Sequence, residues 1–151
     1  MSTLWLQHSP RSAAIARRRV LAAFDRAGVA GEPAQDAALI ASELVGNAVR
    51  HAAPLPSGRV AVHWSVDRHG YEISVTDGGR TGPAVTDEAT DAGVTDHVPD
   101  RTGPIAPRTT GSQDVTGRGL RIVAALADSW GVAATDRTTT VWARTGLRRA
   151  G

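Results

Sequence analysis

The sequence predicts an α/β two-layer sandwich, in which helices pack on one face of an antiparallel or mixed β-sheet. Two observations lead to this prediction. Segments with strand-like alternation and segments with helical periodicity follow one another as strand, helix, helix, hairpin, long loop, helix and hairpin. The chain has 151 residues and is 41% apolar. That is enough for one domain, residues 1–151, around a single core.

The first three predicted elements are a short strand and two helices. Residues 3–8 alternate as an edge strand does. A helix then begins with Ser9 as its cap and Pro10 in its first turn, and Gly28 suits its exit. The predicted apolar face of this helix is Ala13, Ala14, Val20, Leu21 and Phe24. A second helix spans about residues 32–52, and prolines end it.

The second half of the chain is predicted to form two hairpins separated by a long loop and a helix. Residues 59–66 and 71–77 alternate and are rich in β-branched side chains, and the short polar turn between them indicates a hairpin. Residues 80–116 are rich in Gly, Pro, Thr and Asp. A loop of that length in a compact domain indicates a lid or a disordered segment. The last elements are a helix that starts at a pair of glycines and two strands, at about 130–135 and 139–144.

Composition excludes several classes of function. The pI is about 10.3, but the formal charge is only +2 and all 17 basic residues are arginine. Arginine remains charged at high pH, so a small surplus raises the pI without indicating a nucleic-acid ligand. The absence of cysteine excludes disulfides and thiolate metal sites. No apolar run approaches the ~18 residues of a membrane span, and the N-terminus lacks the order of a signal peptide, so we expect a cytoplasmic protein.

The stretch "IASELVGNAVRHAAP", residues 40–54, places three polar residues four apart on one face of the second helix: Glu43, Asn47 and His51. Apolar residues flank this column, and a carboxylate there is costly unless it is paired or has a task. An asparagine carbonyl is a hard oxygen ligand suited to Mg²⁺. A carboxylate one turn away could polarise a hydroxyl nucleophile. The alternative is an amphipathic helix whose polar edge meets solvent.

A second candidate lies in "ISVTDGGRTG", where a strand runs into an aspartate and two glycines. Asp77 could cap a turn, as aspartate often does before glycine. It could instead accept a hydrogen bond from a ligand amino group, with Gly79 allowing a flat ring to approach the backbone. Both interpretations stay open at this point.

A third candidate is "VTGRGLRIVAAL", in which Gly117 and Gly119 open a helix. The free N–H groups and the positive dipole end of a helix favour phosphate. Two familiar phosphate motifs do not fit: a P-loop needs a lysine, and a dinucleotide fingerprint needs a third glycine at Ile122. No serine-hydrolase elbow, zinc-protease motif or calcium-loop spacing is present.

Together, "ELVGNAVRHA", "VTDGG", "GRGLRIV" and "TTTVWA" resemble the N, G1 and G2 boxes of the Bergerat-fold (GHKL) ATPases, the superfamily shared by gyrase, MutL and the histidine kinases. The resemblance covers about residues 3–145. Within the superfamily, the chain looks most like the small single-domain anti-sigma-factor serine/threonine kinases of bacteria. From its 151 residues we expect neither the dimerisation helices of a histidine kinase nor a transducer domain.

The resemblance implies ATP and Mg²⁺ as ligands and assigns roles by position. Asn47 would hold Mg²⁺, Glu43 would be the general base, Asp77 would bind the adenine amino group and Gly79 would lie beneath the ring. His51 is expected only to pack or to hydrogen-bond at the helix end. The phosphates would be met by Arg50 and by the helix start, Gly117, Arg118, Gly119 and Leu120, largely through backbone N–H groups.

The resemblance also implies that Thr139 or Thr140 lies near the adenine and that residues 80–116 form an ATP lid. The sequence departs from the family pattern at two positions near the expected adenine contacts. The G1 box usually continues as DxGxG, but Thr81 stands in place of the second glycine. The glycine usual before the last strand's threonine is also missing, since "DRTTT" occupies that place.

The leading functional hypothesis is an anti-sigma-factor serine/threonine protein kinase. Its expected partners are a sigma factor and an anti-anti-sigma protein of the STAS type. Relatives commonly form homodimers, and the sequence leaves open whether this chain does. The arginine run 17–19 could help to bind the sigma factor, or could simply be a solvated helix face. A second hypothesis is a regulatory binding module that uses nucleotide structurally or not at all. A third is DNA binding through the basic helix, which predicts affinity that falls steeply with salt.

Overall fold

The computed structural model of the chain describes residues 1–79 and 117–147, so the predicted lid at 80–116 lies outside the described residues. The elements follow the predicted order, with most boundaries within one or two residues. They are β1 (Ser2–Gln7), α1 (Ser12–Arg26), α2 (Glu32–His51), β2 (Arg59–Val66), β3 (Gly70–Asp77), α3 (Gly117–Leu126), β4 (Ser129–Ala134) and β5 (Thr139–Gly146).

The described strands form one sheet in the order β1-β2-β3-β5-β4, and every neighbouring pair is antiparallel. The α/β prediction is therefore confirmed, and the sheet is antiparallel rather than mixed. Crossing from β2 through β3 to β5, Val62 faces Val75 and Val75 faces Val141, all buried on one face. The helices pack on this face: α2 covers β3, while α1 and α3 flank α2 over the two sides of the sheet.

The start of α1 differs from the prediction. Ser9 does not cap the helix, because Arg11 holds the N-cap position and makes no side-chain cap bond. The oxygens of Ser9 instead close the preceding turn: its carbonyl accepts the Ser12 N–H at 3.0 Å and its hydroxyl accepts the Arg11 N–H at 3.4 Å. Ser12 is buried, and its hydroxyl donates to the Gln7 carbonyl at 2.5 Å. A buried serine thus ties the helix start to β1.

The apolar face of α1 was predicted correctly except at one position. Val20 and Phe24 are fully buried, whereas Ala14 is exposed and Ala16 takes its place in the core. Phe24 packs edge-on against Tyr71, with ring centroids 5.2 Å apart. The helix then exits through Gly28 at a φ of 78°, as predicted. In the described ranges, no helix is both long and apolar enough to cross a bilayer.

The elements have a common polarity that decides where a site can form. The C-terminus of α2 is joined to the end of β3 by hydrogen bonds between Ala53 and the Gly78–Gly79 pair. The end of β3 lies opposite the start of β5, with Asp77 paired to Thr139, and Thr139 is also paired to the end of β4. Because α3 connects to the start of β4 through a short turn, its N-terminus points back towards this same edge. The exit of α2, the end of β3 and the start of β5 therefore meet at one edge of the sandwich, towards which the connectivity directs the start of α3.

Candidate functional site

Asp77 is the most strongly constrained polar residue at this edge. It is only 4% exposed, and its Oδ1 accepts the Gly79 N–H at 2.8 Å. Within residues 1–79 and 117–147, no group donates a hydrogen bond to the other oxygen of this carboxylate. Burial raises the pKa of Asp77, while the Gly79 N–H and the charge of His8 act in the opposite direction. The turn-capping and ligand-binding interpretations are therefore compatible, because one oxygen caps the turn and the other remains available.

The two glycines after Asp77 serve different purposes. Gly79 has a φ of 89°, a conformation that side chains disfavour, but an added Cβ would meet no described atom closer than the Arg137 carbonyl oxygen at 3.9 Å, an ordinary contact. Gly78 instead lies against the segment that leaves α2. Its N–H donates to the Ala53 carbonyl at 2.8 Å, and the Ala53 N–H donates to the Gly79 carbonyl at 2.7 Å. An added Cβ on Gly78 would overlap the carbonyl oxygen of Pro54 and lie 2.7 Å from its carbon.

Gly78→Ala is therefore expected to lower the free energy of unfolding by about 3 kcal/mol, because the backbone of Ala53 and Pro54 leaves no room for a methyl group. Chemical denaturation followed by circular dichroism measures the change. Gly79→Ala is the matched control: it introduces backbone strain without an overlap and is expected to cost about 1–2 kcal/mol. Equal stability losses in the two variants would show that the close approach at Gly78 is not the constraint.

The polar column of α2 lies on the half of the helix that leads to this edge. Glu43 and Asn47 are half-buried, and within residues 1–79 and 117–147 neither side chain makes a hydrogen bond or an ion pair. Arg50 is exposed, and its guanidinium folds back along the helix, 3.2 Å from where a Cβ on Gly46 would stand. This half of α2 thus presents the Glu43 carboxylate, the Asn47 amide and the Arg50 guanidinium. None of these side chains bonds to another described residue, so all three are available to a ligand.

His51, the last residue of α2, is half-buried but makes no side-chain hydrogen bond to any described residue. The role of closing the helix end belongs to His8, which sequence reasoning did not identify. Its Nε2 lies 2.8 Å from the Ala52 carbonyl and 3.3 Å from the Ala48 carbonyl. No local pattern reveals this contact, because the partners are at least 40 residues away in sequence.

The first turn of α3 supplies the other half of the edge. The helix begins at Gly117, so the backbone N–H groups of Gly117, Arg118, Gly119 and Leu120 have no partner within the helix. The Leu120 side chain is buried in the core and anchors this turn, which leaves only its backbone for a ligand. The side chain of Arg118 lies outside the described part of the structure. These N–H groups and the helix dipole together suit an anionic group.

The register of β5 separates the two candidate threonines. Thr139 pairs with Asp77 and therefore lies on the same, helix-covered face of the sheet. Thr140 pairs with Thr76 on the opposite face, where the two hydroxyl oxygens are 2.8 Å apart. The structure thus brings Thr139 to the same edge as Asp77 and turns Thr140 away from it.

The polar groups at this edge suit a bound nucleotide better than a metal ion coordinated by protein side chains alone. In the parts of the chain that are described, no cluster of three or more His, Cys, Asp or Glu side chains could hold a metal ion. Mg²⁺ accepts few protein ligands and is commonly shared with substrate phosphates. Asn47 is therefore a fitting single protein ligand for Mg²⁺ when phosphates supply the remaining oxygens. The buried carboxylate with one unpartnered oxygen fits a hydrogen-bond donor such as an exocyclic amino group.

Comparison with known families agrees with this geometry. A family model described as the histidine kinase-like ATPase domain matches residues 6–145, from β1 to the last strand. The match spans every candidate residue named above. A comparison with curated proteins found no match.

Proposed function

The chain belongs to the histidine kinase-like ATPase domain family, and on that premise we propose that it is a serine/threonine protein kinase of the anti-sigma-factor type. Domains of this family bind ATP, usually with Mg²⁺, so the protein is an ATP-binding protein of the GHKL type. The finer assignment is our proposal: residues 1–151 act as one ATP-binding domain that phosphorylates an anti-anti-sigma protein and sequesters a sigma factor in the cytoplasm.

The observation that carries the nucleotide site is the state of Asp77. Burial of a carboxylate that is 4% exposed is costly, and within the described residues only one of its oxygens accepts a hydrogen bond. An adenine amino group would satisfy the other oxygen. The neighbouring Gly79 has no side chain beside the strand end, and Thr139 lies across from Asp77 on the same face. The start of α3 at the same edge supplies N–H groups for phosphate oxygens.

The proposed transfer uses two residues of α2 in different roles. Asn47 would hold Mg²⁺, which supplies neutralisation of the charge on the transferred phosphoryl group. Glu43, one helical turn earlier, would accept the proton of a serine hydroxyl on the partner protein. The serine oxygen then forms a bond to the γ-phosphorus, the bond from that phosphorus to the bridging oxygen breaks, and ADP leaves. Arg50 and the α3 N–H groups would hold the phosphate oxygens in position.

Transfer of label from γ-³²P-ATP to a serine of the cognate anti-anti-sigma protein tests this function. Label on that serine, dependent on both Mg²⁺ and the protein, is the expected result. A protein that binds ATP but transfers no label would contradict the kinase assignment and support the second hypothesis, a regulatory binding module. The departures at Thr81 and in "DRTTT" favour that alternative, because they alter two of the motifs that the resemblance assigns to adenine binding.

Asn47→Ala tests the metal role directly. We expect the affinity for Mg·ATP to fall by about tenfold or more, the scale of losing one bond to a charged group. In EDTA, the wild type and the variant should bind ATP equally. Calorimetric titration measures both affinities. Ser42→Ala is the control on the same helix, because the Ser42 hydroxyl donates only to the Leu39 carbonyl. Equal Mg²⁺ dependence in Asn47→Ala and wild type would remove Asn47 from the site.

The partner surfaces that we propose lie away from the ATP edge. Arg17, Arg18 and Arg19 are all exposed on α1, which suits an acidic surface of a sigma factor. β1 is an outer strand of the sheet and carries Trp5, which is 53% exposed, so a second copy of the chain could pair there. We propose no nucleic-acid ligand. A gel shift at low salt that showed DNA binding by the arginine run would contradict this.

A further inference from the structure

His8 occupies the connection between β1 and α1 and reaches across to the end of α2. It is half-buried, and its backbone N–H donates to the Gly58 carbonyl at 3.3 Å. Its Nε2 approaches the carbonyl oxygens of Ala52 and Ala48 at 2.8 and 3.3 Å. Both partners are carbonyls, which can only accept, so Nε2 must carry the proton.

The Ala48 carbonyl already accepts the Ala52 N–H at 3.1 Å, whereas Ala52 follows the last residue of α2 and its carbonyl has no partner within the helix. The next residue, Ala53, is held at both its N–H and its carbonyl by Gly79 and Gly78. Gly79 in turn donates its N–H to Oδ1 of Asp77. His8 is therefore connected to the carboxylate of Asp77 by hydrogen bonds and by the backbone units between them, namely the Ala52–Ala53 peptide and Gly79.

This connection has little freedom to relax. Gly78 is packed so closely against Pro54 that a methyl group would not fit between them. A displacement of the α2 exit must therefore move the Gly78–Gly79 segment, and the Asp77 carboxylate that it caps, in the same direction. The charge of His8, when protonated, also lowers the pKa of Asp77, although the larger effect at that carboxyl is the rise caused by burial.

We propose that His8 is a positioning residue that holds the Asp77 carboxylate in the orientation needed to recognise an adenine amino group. This inference rests on the proposed nucleotide site. It assigns His8 a role in selecting the base rather than in the chemistry. Loss of the His8 bonds should therefore weaken recognition of the amino group specifically, while the contacts to the phosphates remain.

Two nucleotides separate this role from general structural support. ATP carries the 6-amino group, and purine riboside triphosphate lacks it. In His8→Leu, which keeps side-chain bulk but removes the donor, we expect the preference for ATP over the analogue to fall by about tenfold, the effect of a misaligned charge-assisted hydrogen bond. His8→Gln, which retains a terminal N–H donor, should restore most of the preference. Should His8→Leu fail to fold, His8→Asn, whose amide is too short to reach both carbonyls, carries the same expectation.

The matched control is His63→Leu. His63 is also half-buried and bonded to β1, through the Thr3 hydroxyl at 3.0 Å, but it lies on β2, on the face of the sheet opposite Asp77. Its loss should leave the preference for ATP unchanged. A His8→Leu protein that loses affinity for ATP and for the analogue equally, or loses neither, would overturn the proposal.

Amide hydrogen exchange tests the same contact without nucleotide. In His8→Leu, the N–H groups of Ala53, Gly78 and Gly79 should exchange faster than in wild type, while those in the centre of β3 stay protected. Unchanged exchange at all three would overturn the positioning role. A wild type that binds neither nucleotide would contradict the proposed function, yet the exchange result would still show whether His8 holds the Asp77 turn.

Discussion

Glu43→Gln is expected to slow phosphate transfer to the partner serine by about 10²–10⁴-fold, the range that a positioned general base contributes. Glutamine keeps the shape of the side chain but cannot take the proton of the hydroxyl. Because Glu43 makes no bond to any described residue, its replacement should leave both folding and ATP affinity unchanged. Single-turnover transfer from γ-³²P-ATP measures the rate, and a parallel titration measures the affinity.

Glu32→Gln is the control for this experiment. It makes the same chemical change on the same helix, but Glu32 is exposed in the first turn of α2, at the end remote from Asp77. Its transfer rate should equal that of wild type. Full activity in Glu43→Gln would show that the carboxylate is not the base and that another group removes the proton.

Asp77→Asn is expected to weaken ATP binding by about 10–100-fold and, at the same time, to stabilise the protein at neutral pH. Asparagine can still accept the Gly79 N–H through its oxygen, so the turn is kept. Its amide NH₂ then stands where the free carboxylate oxygen was, and it opposes the adenine amino group with a second donor. The expected loss has the size of a charged hydrogen bond that is replaced by an unpaired donor.

The stability gain follows from the raised pKa of Asp77. A carboxyl whose pKa is higher in the folded state than its ordinary value of 3.8 favours folding at low pH, and this contribution is lost as pH rises through the folded pKa. Above that pH, the wild type carries a buried charge that Asp77→Asn lacks. Urea unfolding should therefore show the variant to be the more stable protein at neutral pH. The difference should shrink as the pH is lowered through the raised pKa.

Asp67→Asn provides a control with the opposite sign. Asp67 also accepts backbone N–H groups, from His69 at 2.7 Å and Gly70 at 3.1 Å, but it is exposed in the β2–β3 turn. The hydrogen bond from the His69 N–H is the main cause that lowers its pKa, so its charge favours folding above the ordinary carboxyl pKa. Asp67→Asn should therefore lower stability at neutral pH. An Asp77→Asn protein that is also less stable than wild type, or that binds ATP with unchanged affinity, would contradict the role assigned to Asp77.

Local patterns were sufficient for the elements because each is defined by its own periodicity. The column Glu43–Asn47 follows from a helical repeat, and the strand that ends at Asp77 follows from alternation. The start of α1 was not predictable in the same way. Ser9 has the chemistry of a cap, but Ser12 is held by the Gln7 carbonyl, and this contact shifts the start of the helix. The packing of β1, which the local sequence does not encode, decides which of the two serines fixes the start of the helix.

The candidate site divides along the same line. Its residue types and their order along the chain determined the family resemblance, and the structure joins the exit of α2 to the end of β3 beside Asp77. Strand register decided between Thr139 and Thr140, because a step of one residue turns a side chain to the other face of a sheet. The roles of Gly78 and His8 could not be predicted from the sequence. Both depend on backbone atoms that lie far away along the chain and become neighbours only when α2 and β3 pack together.

By itself, the sequence determined the α/β class, the positions of the helices and strands, and the carboxylate, amide and glycine groups that suit ATP. Periodicity and residue chemistry are local properties, so they can be identified in the sequence without knowledge of the fold. The tertiary structure alone decided the antiparallel strand order, the hydrogen bond from the Gly79 N–H to Asp77 and the bond from His8 to the end of α2. These features depend on which backbone donors and acceptors, distant in sequence, come within hydrogen-bond distance, and that is determined by how the chain packs.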